Sequence, residues 1–180
     1  MTLSDALDRL DLDRAAFLAA YDALAPEQRD FRPDDGGWTA DEVVQHVARV
    51  ETGVLHIVAA QAEAGDDRRA VGEPNEAALA TVEAFMRSDG RTLVPAAAEA
   101  RIAPTSLPDV EWRERLGEFA EAWREAEAQM PAGLDGVGLM EHPRAGGLTA
   151  TGAVRFLASH LDHHTRQLAR LRAAPGFPEA

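Results

Sequence analysis

The chain has 180 residues, with 31 acidic side chains against 18 basic ones for a net charge of −13, six histidines and no cysteine. A field of that sign repels nucleic-acid phosphates and anionic membrane surfaces, so neither is an expected partner. The missing thiols exclude disulfides, thiolate metal sites and a cysteine nucleophile.

At 46% apolar and 27% charged residues the composition is that of a folded chain, and its length suits one helical domain over residues 1–180. Every basic residue is arginine, and alanine, leucine and glutamate are abundant while β-branched and aromatic runs are scarce. That mixture favours helices. Residues 1–20 lack a basic start followed by an apolar core, and nowhere do eighteen apolar residues run together. A cytoplasmic location is the resulting expectation.

The first long helix is predicted from about Asp11 to Ala25, with Leu12, Phe17, Leu18, Tyr21 and Leu24 near helical spacing and Pro26 closing it. The turn Arg32-Pro33-Asp34-Asp35-Gly36-Gly37 follows. A second helix opens at Thr39, where Thr39-Ala40-Asp41-Glu42 has the capping-box pattern and Trp38 can staple against Val43. Its apolar stripe is Val43, Val47, Val50, Val54, Ile57 and Val58, ending near Gly65. A short helix is predicted from about Asn75 to Arg87, and residues 89–110, with Gly90, Pro95, Pro104 and Pro108, read as a long irregular connection. The third long helix covers about Val110 to Met130, with Trp112, Leu116, Phe119 and Trp123 on one side. A glycine-rich loop from Gly133 to Gly147 leads into the last helix, Thr149 to about Ala173, stopped by Pro175 and Gly176. Gly146-Gly147-Leu148-Thr149-Ala150 echoes Gly36-Gly37-Trp38-Thr39-Ala40, a hint of paired helices. Four long amphipathic helices with a long crossover between the second and third describe an all-α four-helix bundle.

The histidines are sorted by helical phase. On the last helix Val154, Leu157, Leu161, Leu168 and Leu171 form a heptad seam whose missing member is His164. At about 100° per residue, His160 lies roughly 40° from His164 at the edge of the apolar arc, and His163 roughly 100° away, toward the rim or solvent. His160 and His164 are therefore an i, i+4 pair, one turn apart, able to reach a single metal ion or to sit as ordinary core histidines. On the second helix His46 sits at the edge of the valine stripe and His56 on the polar side. Convergence of His46, His160 and His164 gives three neutral nitrogen ligands with open positions, an arrangement suited to catalysis. Gln167 is a candidate to orient His160 or His163 by a hydrogen bond to a ring nitrogen. Glu42 is explained by the cap, the tryptophans by core and staple, and His142 lies in a loop.

The segment Gly37-Trp38-Thr39-Ala40-Asp41-Glu42-Val43-Val44-Gln45-His46-Val47 resembles the second-helix signature of the DinB/YfiT superfamily of four-helix-bundle proteins. His142-Pro143-Arg144-Ala145-Gly146-Gly147-Leu148-Thr149, followed by Phe156 to Leu168 with its HxxHHxxQ pattern, resembles the start of that family's fourth helix and its motif. The resemblance implies a divalent metal, zinc or nickel, on His46, His160 and His164, a frequent homodimer, and, by analogy with relatives, transfer of a low-molecular-weight thiol. A metal-dependent thiol transferase acting on a small electrophilic substrate is the leading reading. A metal-dependent hydrolase and a non-catalytic metal-binding or dimeric interaction module are the alternatives.

Overall fold

A computed structural model describes residues 1–64, 71–88, 103 and 109–179, and between 109 and 114 only the side chain of 112. The elements are α1 (Leu3–Asp22), α2 (Pro26–Arg29), α3 (Ala40–Glu63), α4 (Glu76–Met86), α5 (Asp109–Gln129), β1 (Met140–His142), β2 (Gly146–Leu148) and α6 (Ala150–Arg172). The irregular stretch expected over 89–110 lies almost wholly outside the described residues.

Helix α1 packs against α5 and α6, and α3 packs against the same two. The four long helices thus close a bundle in which α1 and α3 face each other across a diagonal. Helix α4 lies along the outside of α6. Tyr21 and Trp112 meet edge to face at 5.1 Å in the interior, which Phe17, Leu116 and Trp123 help to fill.

The helix starts follow from their caps. Thr39 Oγ1 accepts from the Glu42 amide at 3.2 Å while Glu42 Oε2 accepts from the Thr39 amide at 2.9 Å, so two otherwise orphaned donors are satisfied. Thr149 Oγ1 accepts from the Gly152 amide at 3.0 Å. The two Gly-Gly-x-Thr-Ala starts also share a backbone shape. Gly36 and Gly146 have φ of 76° and 70°, and Thr39 and Thr149 both have φ −68° with ψ of 165° and 171°.

Helix α1 begins earlier than the predicted Asp11, because Thr2 and Asp5 form a capping box at its true start. Its buried seam is Leu7, Leu10, Arg14, Phe17 and Tyr21, alternating three and four apart. An arginine in that seam hid the phase from a reading based on apolar residues. Leu12, expected inside, is 67% exposed, and Ile57 on α3 is likewise exposed.

The expected glycine-rich loop contains a hairpin, with Met140 opposite Leu148, Glu141 opposite Gly147 and His142 opposite Gly146. Three-residue strands are too short for alternation to register. The segment ending at Asn75 straps this hairpin: Pro74 bridges to Gly147, and the Asn75 amide donates to the Gly147 carbonyl at 3.2 Å. A Cβ at Gly147 would fall 2.0 Å from the Gly72 carbonyl oxygen, so only glycine fits there.

Arg14 and Glu51 form a buried ion pair across the α1–α3 diagonal, with Arg14 Nη1 also held by Asp11 Oδ1. Burial pushes the Glu51 carboxyl up, against the pull of the Arg14 guanidinium. Removing one partner strands the other charge in the core. Arg14→Met is expected to lower unfolding stability by about 3–5 kcal/mol, and the double variant Arg14→Met/Glu51→Leu to recover most of that loss. Urea unfolding of the three proteins measures both, and a double variant no better than the single would contradict this account.

Candidate metal centre

Helices α3 and α6 are neighbours, and His46 lies on the second turn of α3, placed by the cap at Thr39. His160 and His164 project from consecutive turns of α6 toward it. All three are buried, at 3%, 6% and 5% exposure. His160 Nε2 lies 3.0 Å from His46 Nε2 and 3.0 Å from His164 Nε2. One ligand atom from each of the three falls within 4.8 Å of the others, the one such cluster among the described residues.

The chemistry of this donor set fits a cation. An imidazole Nε2 has one in-plane site, either a proton or a lone pair, so His160 Nε2 can satisfy one neighbour but not both. His164 Nδ1 donates to Gln167 Oε1 at 2.7 Å, which fixes its tautomer and leaves the lone pair on Nε2. Burial, together with the neighbouring imidazoles, pushes His160 and His164 well below the usual histidine value. Both are neutral at pH 7, the form that binds metal. A tetrahedral ion with metal–nitrogen bonds of about 2.0–2.1 Å holds its ligand nitrogens roughly 3.3 Å apart. The two 3.0 Å spacings about His160 Nε2 need only a small expansion to reach that separation, and three ligands leave at least one position open.

A second ring stands behind each ligand. Trp38 lies 4.8 Å from His46, Phe156 5.7 Å from His160, and His163 5.2 Å from His164, centroid to centroid. Trp38, expected to be a staple residue, therefore borders the site. The i−4 spacing of Phe156 from His160 was available as a signal.

Two expectations are corrected. His163 does not point to solvent; it is 6% exposed, and its Nδ1–H donates to the Met86 carbonyl at 3.1 Å. Helix α4 covers the face of α6 that a bare four-helix bundle leaves open. Gln167 bonds His164, three residues before it on α6, where His160 or His163 was expected; His163 Nδ1 is engaged by the Met86 carbonyl. His56 is exposed as its phase requires, and Glu42 is held by its cap and by Arg32.

The chain belongs to the DinB superfamily, whose family model matches residues 9–168. Its fold is similar to that in the crystal structure of TT2238, described as a four-helix bundle protein. The TM-score is 0.55 at 21% identity, with 96% of this chain and 100% of that chain covered. At that identity the likeness concerns the fold alone. Comparison with curated proteins gives no match. Among the described residues no helix is long and apolar enough to cross a membrane.

Alanine at His46, His160 or His164 is expected to abolish zinc or nickel binding in titration calorimetry, whereas His56→Ala leaves it intact. Gln167→Ala should weaken affinity by about 10–100-fold, as loss of an orienting partner does. His163→Ala should cost about 1–3 kcal/mol of stability by leaving the Met86 carbonyl unpaired, with metal affinity largely kept. Loss of metal at His163 equal to that at His164 would refute the assignment.

Proposed function

We propose that this protein is a metal-dependent enzyme that transfers a low-molecular-weight thiol to a small electrophilic substrate. His46, His160 and His164 are its metal ligands, and zinc or nickel its ion. The observation that carries the reading is the convergence of three buried histidine nitrogens whose contacts protons cannot all satisfy. A divalent ion held there supplies Lewis acidity and lowers the pKa of a coordinated thiol, making the sulfur nucleophilic near neutral pH.

The chain's own residues favour a borrowed thiol over activated water. No cysteine is present to act as nucleophile. Hydrolysis calls for a carboxylate or similar base near the centre, and the nearest candidate by sequence, Glu42, is committed elsewhere. Its two oxygens accept from the Thr39 amide and the Arg32 guanidinium. Although burial pushes its carboxyl up, those two partners hold it below the usual range. Trp38 and Phe156 back the ligand rings with apolar surface, which limits competing water.

Protein loaded with zinc or nickel should join glutathione, bacillithiol or mycothiol to a reactive alkyl halide, the carbon–sulfur bond replacing the carbon–halogen bond with release of halide and a proton, and the thioether followed by mass spectrometry. His160→Ala should reduce that rate at least about a hundredfold, the scale of losing the metal's contribution to the nucleophile. Turnover of ester or amide substrates without added thiol would replace this reading with the hydrolase. No turnover of either kind in metal-loaded protein would leave a binding module.

A further inference from the structure

Five of the six histidines are accounted for: three converge, His163 is tied to α4, and His56 is exposed. His142, at the end of β1, is not. Its Nδ1 accepts from the amides of Arg144 at 3.2 Å and Ala145 at 3.1 Å, closing the turn into β2. Asparagine or aspartate does this capping work with a shorter side chain. What imidazole adds is the second nitrogen. A neutral ring that accepts at Nδ1 carries its proton on Nε2. That Nε2–H has no hydrogen-bond partner among the described residues. Burial, then the charge of Arg144, pushes the His142 pKa down, so the ring is neutral at pH 7.

The ring stands close to the metal centre. It lies 4.7 Å from Phe156, which in turn lies 5.7 Å from His160, so one aromatic layer separates it from a ligand. Next to it Arg144 contributes positive charge in a chain whose net charge is −13.

We propose that the Nε2–H of His142 is a binding point for a carboxylate oxygen of the small molecule that occupies the His46–His160–His164 centre, and so selects acid-bearing ligands. This rests on the reading of that centre as a metal site for a thiol. The β1–β2 hairpin that carries this donor is strapped by Pro74 and Asn75, which limits the freedom of the turn. A hydrogen bond to a charged acceptor discriminates more strongly than one to a neutral hydroxyl.

The test uses zinc-loaded full-length protein and two probes matched in size, mercaptopropionate and mercaptopropanol, in titration calorimetry. The unaltered protein is expected to bind the acid about tenfold or more tighter than the alcohol. His142→Asn keeps an oxygen for the two turn amides but removes the donor. It should erase most of that preference while zinc affinity and the unfolding midpoint stay unchanged. A nitrogen–proton spectrum of the metal-free protein should place the His142 ring proton on Nε2. A proton on Nδ1, a preference that survives in His142→Asn, equal weakening of both probes, or a preference lost only in Arg144→Gln would each overturn the inference. In those cases the thiol reading stands. Zinc binding with no affinity for either thiol would bring down the thiol reading and this inference together.

Discussion

A buried imidazole nitrogen within hydrogen-bonding distance of two others creates a conflict that protons cannot fully satisfy. His160 Nε2 is 3.0 Å from two partners and has one in-plane site to offer them. A cation that accepts from all three removes the conflict. Burial, which would punish charged imidazoles, also keeps His160 and His164 in the neutral form that a metal needs. Much of the surrounding structure serves this point. The Thr39 cap sets where α3 begins and so where His46 falls, Gln167 fixes one tautomer, and α4 closes the flank of α6 through the Met86–His163 hydrogen bond.

A second polar element crosses the same bundle. Arg14 and Glu51 occupy positions in seams that are otherwise apolar: Leu10, Arg14, Phe17 on α1 and Val47, Glu51, Val54 on α3. A buried pair of this kind adds little net stability over apolar residues of similar size. Its physical effect lies in register, since any slip of α1 against α3 separates the charges at a cost of several kcal/mol. Tyr21, whose hydroxyl donates to Asp41, ties the same two helices a further two turns along α1. Because α3 carries His46, the pair on one side of the bundle also constrains the apex of the triad.

Legibility in the sequence tracked the physics of each element. Helix α6 was readable because its seam is apolar except at His164, and a lone polar residue in a regular seam stands out. Helix α1 was misplaced because Arg14 broke the apolar count and Thr2, far upstream, set its start. The triad followed from angle alone on α6 and from the stripe edge on α3. What angle could not give was the covering of His163, which depends on a packed short helix, or the partner choice of Gln167, which depends on which ring nitrogen its side chain reaches. The hairpin escaped because three residues cannot display alternation, and with it the role of His142 in closing the turn.

The division of ligands, two from α6 and one from α3, has a mechanical consequence. The separation of His160 and His164 is set by one helical turn and survives any rearrangement between helices. The distance from that pair to His46 depends wholly on how α3 packs against α6, since no local geometry links them. An ion bound to all three therefore pulls on the α3–α6 interface, and its binding free energy becomes free energy of the folded bundle. Two polar ties on the α1–α3 diagonal hold α3 from one side, and an ion shared by His46, His160 and His164 would hold it from the other. An ion bound there would thereby brace α3 against α6 beside the three histidines.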